Sequence, residues 1–217
     1  MKEVFDFLKK LKKNNSKEWF DVHRSEYESA KKQVIALVET IIPLVEKIDP
    51  EVQNLQAKDC MFRINRDVRF SKNKDPYKTN MGIVFAPGGK KSNKGCYYLH
   101  IEPGNCFIAG GIWMPMPDDL KKIRQEIDYN GDDLAKVLKA KSFKKYFTDF
   151  DQEAVLTKVP KGYDATNPHA DLLKLKSFTL SFPIEDSVLL EKKPETTIIK
   201  VFTEIVPVNQ FLNTAID

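Results

Sequence analysis

Between residues 20 and 114 the spacing of apolar side chains changes from the period of a helix to that of a strand, and this switch limits the architectures open to the chain. From Phe20 the stripe Phe20, His23, Tyr27, Ala30, Val34, Leu37, Ile41, Leu44 and Ile48 advances in alternating steps of three and four, which puts every member on one side of a long helix. Pro43 lies late in that stripe and lacks a backbone donor, so a kink or break near Thr40 is expected. Beyond residue 60 apolar residues alternate in short runs punctuated by Gly, Pro and Asn, the pattern of an antiparallel meander. Strands are expected near 61–70, 81–86, 96–102 and 106–114. Pro103-Gly104 between the last two suits the centre of a type II turn, because proline presets the first φ and glycine takes the positive second one.

The flanks are helical. A short helix over 4–11 would bury Leu8 and Leu11 and stop at Asn14-Asn15, and Ser16 can cap the next. After Pro117 the helical period returns with Leu120, Ile123 and Ile127, then with Leu134, Val137 and Leu138 in a second helix from near Asp132. A turn over 159–164, a helix from Asn167-Pro168 through Leu173, a strand near 178–182 and a helix over 196–215, bent or interrupted at Pro207, complete the chain. The expected class is α+β: N-terminal helices, a central antiparallel β-meander, then further helices and one strand toward the C-terminus. With no repeat or linker, a single domain over 1–217 is expected, helical over 4–48, β-rich over 61–114, and helical with one strand over 117–216.

Hydrophobic residues at 41% are enough for a core, and charged residues at 30% solvate the surface, which argues against disorder. The N-terminus lacks the basic start and apolar run of a secretory signal, and no stretch approaches the ~20 apolar residues of a membrane span. Cys60, Cys96 and Cys106 form no C-x-x-C pair and suit a reducing compartment, so a soluble, cytoplasmic protein without disulfides or a zinc site is expected. The net charge of +4 is small, but its distribution is uneven. Nine Lys and Arg lie between Cys60 and Gly95 against only Asp67 and Asp75, so the remainder of the chain is slightly acidic.

This basic run holds the candidate site. In an extended strand Phe62, Ile64, Val68 and Phe70 share one face with Arg66 among them, and an inward guanidinium needs a carboxylate, a carbonyl or a ligand anion. Asp59 and Glu102 are the protein carboxylates considered for it. Arg63 and Arg69 would project to the other face, and Lys72, Lys74 and Lys78 follow in a turn shaped by Pro76 beside Tyr77. The candidate ligand-binding set is therefore Arg63, Arg66, Arg69, Lys72, Lys74, Tyr77 and Lys78, with Arg66 as anchor and Tyr77 as a hydrogen-bond partner for a phosphate or carboxylate. The competing reading is structural: strand arginines form ion-pair ladders and lysine-rich turns protect solvated edges.

The stretch from Met61-Phe-Arg-Ile-Asn-Arg-Asp-Val-Arg-Phe to Ser-Lys-Asn-Lys-Asp-Pro-Tyr-Lys-Thr-Asn80 resembles the hallmark of a widespread bacterial family, Domain of Unknown Function 2461. Phe7-Leu8, Asn14-Asn15, Glu18-Trp19-Phe20, Leu120 with Ile123-Arg124, Pro160-Lys-Gly-Tyr-Asp164 and Pro168 with Leu172-Leu173-Lys174 resemble its pattern in the same order. The resemblance implies one cytosolic domain and adds weight to the central motif, but it brings no reaction, cofactor or catalytic residue.

Other signals are weaker. Ala86-Pro-Gly-Gly-Lys-Lys-Ser92 lacks phosphate-loop spacing and reads as a hairpin connection. Tyr98, His100 and Glu102 share a strand face, where His100 could serve as a base or a metal ligand, although no second histidine lies nearby. His23 reads as a packed helix residue and His169 as an exposed one. Ala109-Gly110-Gly111 admits either close packing or open space. Three functions are weighed: binding of a small anion at the basic run, with or without catalysis; nucleic-acid binding there, with Phe70, Tyr77, Tyr97 and Tyr98 as stacking surfaces; and docking of a protein partner by the long N-terminal helix or the basic surface. No cofactor motif is present, and the sequence does not set an oligomeric state.

Overall fold

A computed structural model describes residues 1–217 as an α+β fold in which one sheet of order β1-β2-β3-β4 carries helices on a single face. Helix α1 (Lys2–Lys13) buries Val4, Phe5, Phe7, Leu8 and Leu11, with Glu3 in its first turn and Lys10, Lys12 and Lys13 in its last, each placed to suit the helix dipole. Ser16 accepts a hydrogen bond from the Trp19 N–H and so starts α2 (Lys17–Val22). The long apolar stripe is divided at His23, whose non-helical backbone separates α2 from α3 (Arg24–Ile48). Of the kink or break expected near Thr40, the break is absent and α3 runs on through Pro43: Ile41, Ile42 and Val45 are buried around the proline, and their packing outweighs one missing hydrogen bond.

After the short helix α4 (Ala57–Cys60), the expected strand over 61–70 is absent. Residues 61–80 instead make an irregular excursion held by isolated bridges, Met61 to Ile83 and Asn65 to Tyr77. The apolar alternation there is not a buried face, since Ile64 is buried while Phe70 is 95% exposed. Asp67 accepts from the backbone N–H of Arg69, a local turn bond that competes with a sheet ladder. The other strands lie where the alternation put them: β1 (Met81–Phe85), β2 (Cys96–Ile101), β3 (Cys106–Ile112) and β4 (Phe178–Ile184), all antiparallel. Gly104 takes the positive φ of the β2–β3 turn.

Helix α5 (Pro117–Lys139) changes direction at the non-helical Asn130, the boundary between the two helices read from periodicity. At Gly131 the ring of His169 packs so close that a Cβ would lie 2.4 Å from it, so His169, its side chain 11% accessible, is partly buried against α5 and not exposed. Three short elements, α6 (Ala170–Leu173), α7 (Asp186–Leu190) and a 3-10 turn at Phe143–Lys145, lead to and from β4. The last helix, α8 (Glu195–Ile216), is continuous through Pro207. It buries Ile198, Val201, Phe202, Ile205, Val208 and Leu212 against the sheet and against α3 and α5. No helix is long and apolar enough to cross a membrane.

The inner sheet face consists of Ile83, Phe85, Tyr97, Leu99, Ile101, Ile108, Phe178 and Leu180, all buried. Gly110 lets α8 approach: a Cβ there would meet the Ile205 Cγ2 at 2.6 Å, while Phe202 wedges between Phe85 and Tyr97 at ring separations of 6.0 and 5.2 Å. Polar groups fix the register of this contact. Asn209 donates to the Cys96 carbonyl, Asn213 accepts from the Gly95 N–H at 2.7 Å, and the buried Tyr97 hydroxyl donates to Asp49 Oδ2 at 2.6 Å. Tyr97→Phe would leave that carboxylate buried without its donor, so it is expected to lower unfolding free energy by about 1–3 kcal/mol in urea titrations. A loss within measurement error would show that Asp49 finds another donor.

Candidate anion cleft on the open sheet face

The opposite sheet face carries no helix. Its rows follow from the register: Gly82, His100 and Phe107 lie side by side, then Val84, Tyr98, Ala109 and Ser181, then Cys96, Gly111 and Thr179. The excursion over 61–80 stands along the β1 side of this face and forms a wall. Its first leg is joined to β1 by the Phe62 N–H donating to the Gly82 carbonyl. Its two legs are joined to each other by Arg66 N–H to Pro76 O at 2.9 Å and Lys78 N–H to Ile64 O at 2.8 Å. Asn15, between α1 and α2, fixes the second leg by imitating a strand: its side-chain amide donates to Tyr77 O at 2.9 Å and its carbonyl accepts from Tyr77 N–H at 3.1 Å. The Tyr77 ring is buried and stacks on Phe20 at 4.0 Å, which ties the wall to the helical layer.

Between wall and sheet lies a cleft of about 490 Å³ lined by Phe62, Arg66, Asp67, Lys78, Asn80, Gly82, Tyr98 and His100. Arg66 reaches it with no carboxylate partner; its guanidinium donates to the Asp75 carbonyl at 3.1 Å and to the Ser71 hydroxyl at 3.3 Å. Neither Asp59 nor Glu102 pairs with it. Asp59 accepts from the Gln56 N–H, and Glu102 is engaged elsewhere. The half-buried Lys78 ammonium lies 5.5 Å from the centre of the Phe62 ring and forms no ion pair. Burial, with Arg63 adding repulsion, lowers its pKa.

The remaining members of the sequence-derived set are placed elsewhere. Arg63 influences Lys78 electrostatically but does not line the cleft. Arg69 is held by both oxygens of Asp67, at 3.0 and 2.7 Å, which also occupies the one carboxylate facing the cleft. Lys74 donates to the Val68 carbonyl and fastens the turn. Lys72 is exposed, and the buried Tyr77 ring serves the wall and not the cleft. Asn80, Tyr98 and His100 enter the cleft from the sheet and its approach. Of these, Tyr98 and His100 were legible as a shared strand face, whereas Asn80 gave no signal.

Tyr98, His100 and Glu102 form a polar row beside the cleft. The Tyr98 hydroxyl lies 3.0 Å from His100 Nδ1, and His100 Nε2, buried and without a hydrogen-bond partner, lies 3.5 Å from Glu102 Oε2. Gly82 makes this possible, since a Cβ there would lie 2.6 Å from the Tyr98 hydroxyl. Phe107 stacks on the imidazole at 4.5 Å. Burial pushes the Tyr98 hydroxyl up to about 12, and burial lowers the His100 pKa despite the opposing pull of Glu102. Burial alone would raise the Glu102 pKa, but hydrogen bonds from Asn105 and Thr79, with the adjacent His100 ring, outweigh it and hold the carboxyl below its usual range. The row therefore places a protonated phenol, a neutral imidazole and a carboxylate in series, an arrangement able to pass a proton to or from a ligand.

Burial pushes all three thiols up to about 12, and no three His, Cys, Asp or Glu side chains gather as a metal-ligand set. A family model described as Conserved hypothetical protein (DUF2461) matches residues 3–211. The chain belongs to this family. No curated protein and no solved structure matches it. In this DUF2461 chain the hallmark stretch is thus the wall of the cleft together with the turn that stiffens it.

The lowered His100 pKa gives a testable sign. Between the folded value and the ordinary imidazole value of about 6.5, the unfolded chain binds more protons than the folded one, so stability falls as pH drops through that window. His100→Gln is expected to flatten this part of the stability profile in thermal melts taken between neutral and mildly acid pH. An unchanged slope would mean that His100 titrates normally.

Proposed function

We propose that this protein binds a small anionic ligand, bearing a phosphate or a carboxylate, in the cleft between the 61–80 wall and the open sheet face. The observation that carries this reading is the convergence of two cations without carboxylate partners, Arg66 and Lys78, on a single concavity that also contains the Tyr98 hydroxyl and the Asn80 amide. A half-buried ammonium without a counter-charge is costly, and an incoming anion removes that cost. Arg66 is the geometric anchor, because the Asp75 carbonyl and the Ser71 hydroxyl hold its plane and leave further N–H groups for the ligand. Tyr98 and His100 supply a hydroxyl donor and a neutral base beside the bound group, which suits proton transfer if the ligand is a substrate.

A small ligand is favoured over a nucleic acid because the two cations that meet, Arg66 and Lys78, do so inside one concavity. Arg69 is paired with Asp67 and Lys74 is turned back onto the Val68 carbonyl, so these two do not extend the cleft into a track for a phosphate backbone. The three unpaired thiols suit a reducing compartment such as the cytoplasm.

Calorimetric titration with inorganic phosphate tests the site. Arg66→Ala and Lys78→Ala are each expected to weaken binding by about tenfold to a hundredfold, and Arg69→Ala and Lys72→Ala by less than about threefold. The reading fails if phosphate and simple carboxylates do not bind at low ionic strength, or if all four variants weaken binding alike.

A further inference from the structure

The anion cleft is one end of a longer groove. A second cavity of about 490 Å³ adjoins it, sharing Phe62 and Tyr98, and its floor is Val84, Cys96, Ala109 and Gly111 on the open sheet face. This floor is flat because its residues are small. Gly111 cannot carry a side chain, since its φ is +99° and a Cβ would lie 1.9 Å from the Phe178 carbonyl. The groove is walled by two aromatic rings that the fold leaves in solvent, Phe62 at 40% and Trp113 at 75% exposure. Met114 and Met116, also exposed, continue the apolar wall beyond Trp113. Large exposed apolar side chains carry no advantage in a lone molecule, and their concentration on one groove marks a binding surface. The charge pattern runs along the same axis: Arg66 and Lys78 stand at one end, and Asp151 and Glu153 at the other. Asp151 already accepts from the Ser181 hydroxyl at 2.8 Å.

Resting on the anion reading above, we propose that the ligand is an amphipathic molecule. Its single anionic group sits at Arg66 and Lys78, and its planar apolar body lies over Val84, Ala109 and Gly111 between Phe62 and Trp113. The acidic far rim rejects a second anion and accepts hydrogen bonds from a neutral or cationic tail. Bare phosphate fills only the first cavity and leaves both aromatic rings in water.

Three probes separate the parts of this proposal: inorganic phosphate, 1-naphthyl phosphate and 1-naphthol, titrated by calorimetry into the full chain. Naphthyl phosphate is expected to bind at least about tenfold more tightly than inorganic phosphate. Trp113→Ala, a change at an exposed position, is expected to reduce that ratio to within about twofold while leaving phosphate affinity unaltered. Arg66→Ala is expected to weaken both anions and leave the weak binding of 1-naphthol unchanged. If phosphate binds through Arg66 but naphthyl phosphate gains nothing, or if the gain survives in Trp113→Ala, the apolar body is refuted and the anion site stands. If neither anion binds, or if naphthyl phosphate binds without any dependence on Arg66, both readings fall together.

Discussion

Everything on the functional side of the molecule depends on the sheet being covered once. Helix α8 closes on β3 because Gly110 offers no side chain to hold it off, and Phe202 and Ile205 complete the seal over Phe85 and Tyr97. With α3 and α5 packed against α8, all the long helices are committed to that face. The other face carries no helix, and its residues include the small Ala109 and Gly111 on β3 and the polar Tyr98 and His100 on β2. An antiparallel sheet tolerates this arrangement, since backbone hydrogen bonds are satisfied within the ladder whichever face is wet. The adjacent glycines of β3 thus answer to the first of the two explanations that the sequence allowed: Gly110 permits the close packing of α8, and Gly111 the close approach of the β4 backbone at Phe178.

Much of the architecture was legible because its signals are local. The period-three-and-four stripe, the alternations of β1 to β3 and the Pro103-Gly104 turn each report on a few neighbouring residues, and each appears where it was read, save that the stripe is divided at His23. The departures share one physical cause. The interruptions allowed at Pro43 and Pro207 and the strand expected at 61–70 were judged by local rules, whereas the outcome was set by tertiary packing. Both prolines sit in helices whose apolar faces are deeply buried, so losing one backbone bond does not break them. Of the alternation at 61–70 only Ile64 reaches the core, while Phe62 and Phe70 are exposed, so its apolar members do not enforce a strand. The short elements α4, α7 and Phe143–Lys145 span about a turn each, too little for periodicity to register, whereas α6 was announced by Asn167-Pro168.

The cleft was half visible for the same reason. Basic composition located the wall, but it could not tell which cations face inward and which are consumed in holding the turn. Arg66 and Lys78 are separated in sequence and meet because two backbone bonds join the legs of the excursion. Arg69 and Lys74 lie between them and are drawn into the turn by Asp67 and the Val68 carbonyl. Asn15 supplies the decisive constraint from far away in the chain, and only coordinates could reveal that a side-chain amide there stands in for a strand.

The same excursion has a second consequence for the molecule as a whole. Strand β1 ends the sheet on one side and β4 on the other, and an unpaired outer strand is a template onto which another chain can add. Met61 and Phe62 occupy the outer hydrogen-bonding positions of β1, and the Asp151 N–H occupies the Thr179 carbonyl of β4. Both flanks are thus blunted by irregular segments that form no strand of their own. The segment that gives the protein its cleft also helps keep its open-faced sheet from growing into a fibre.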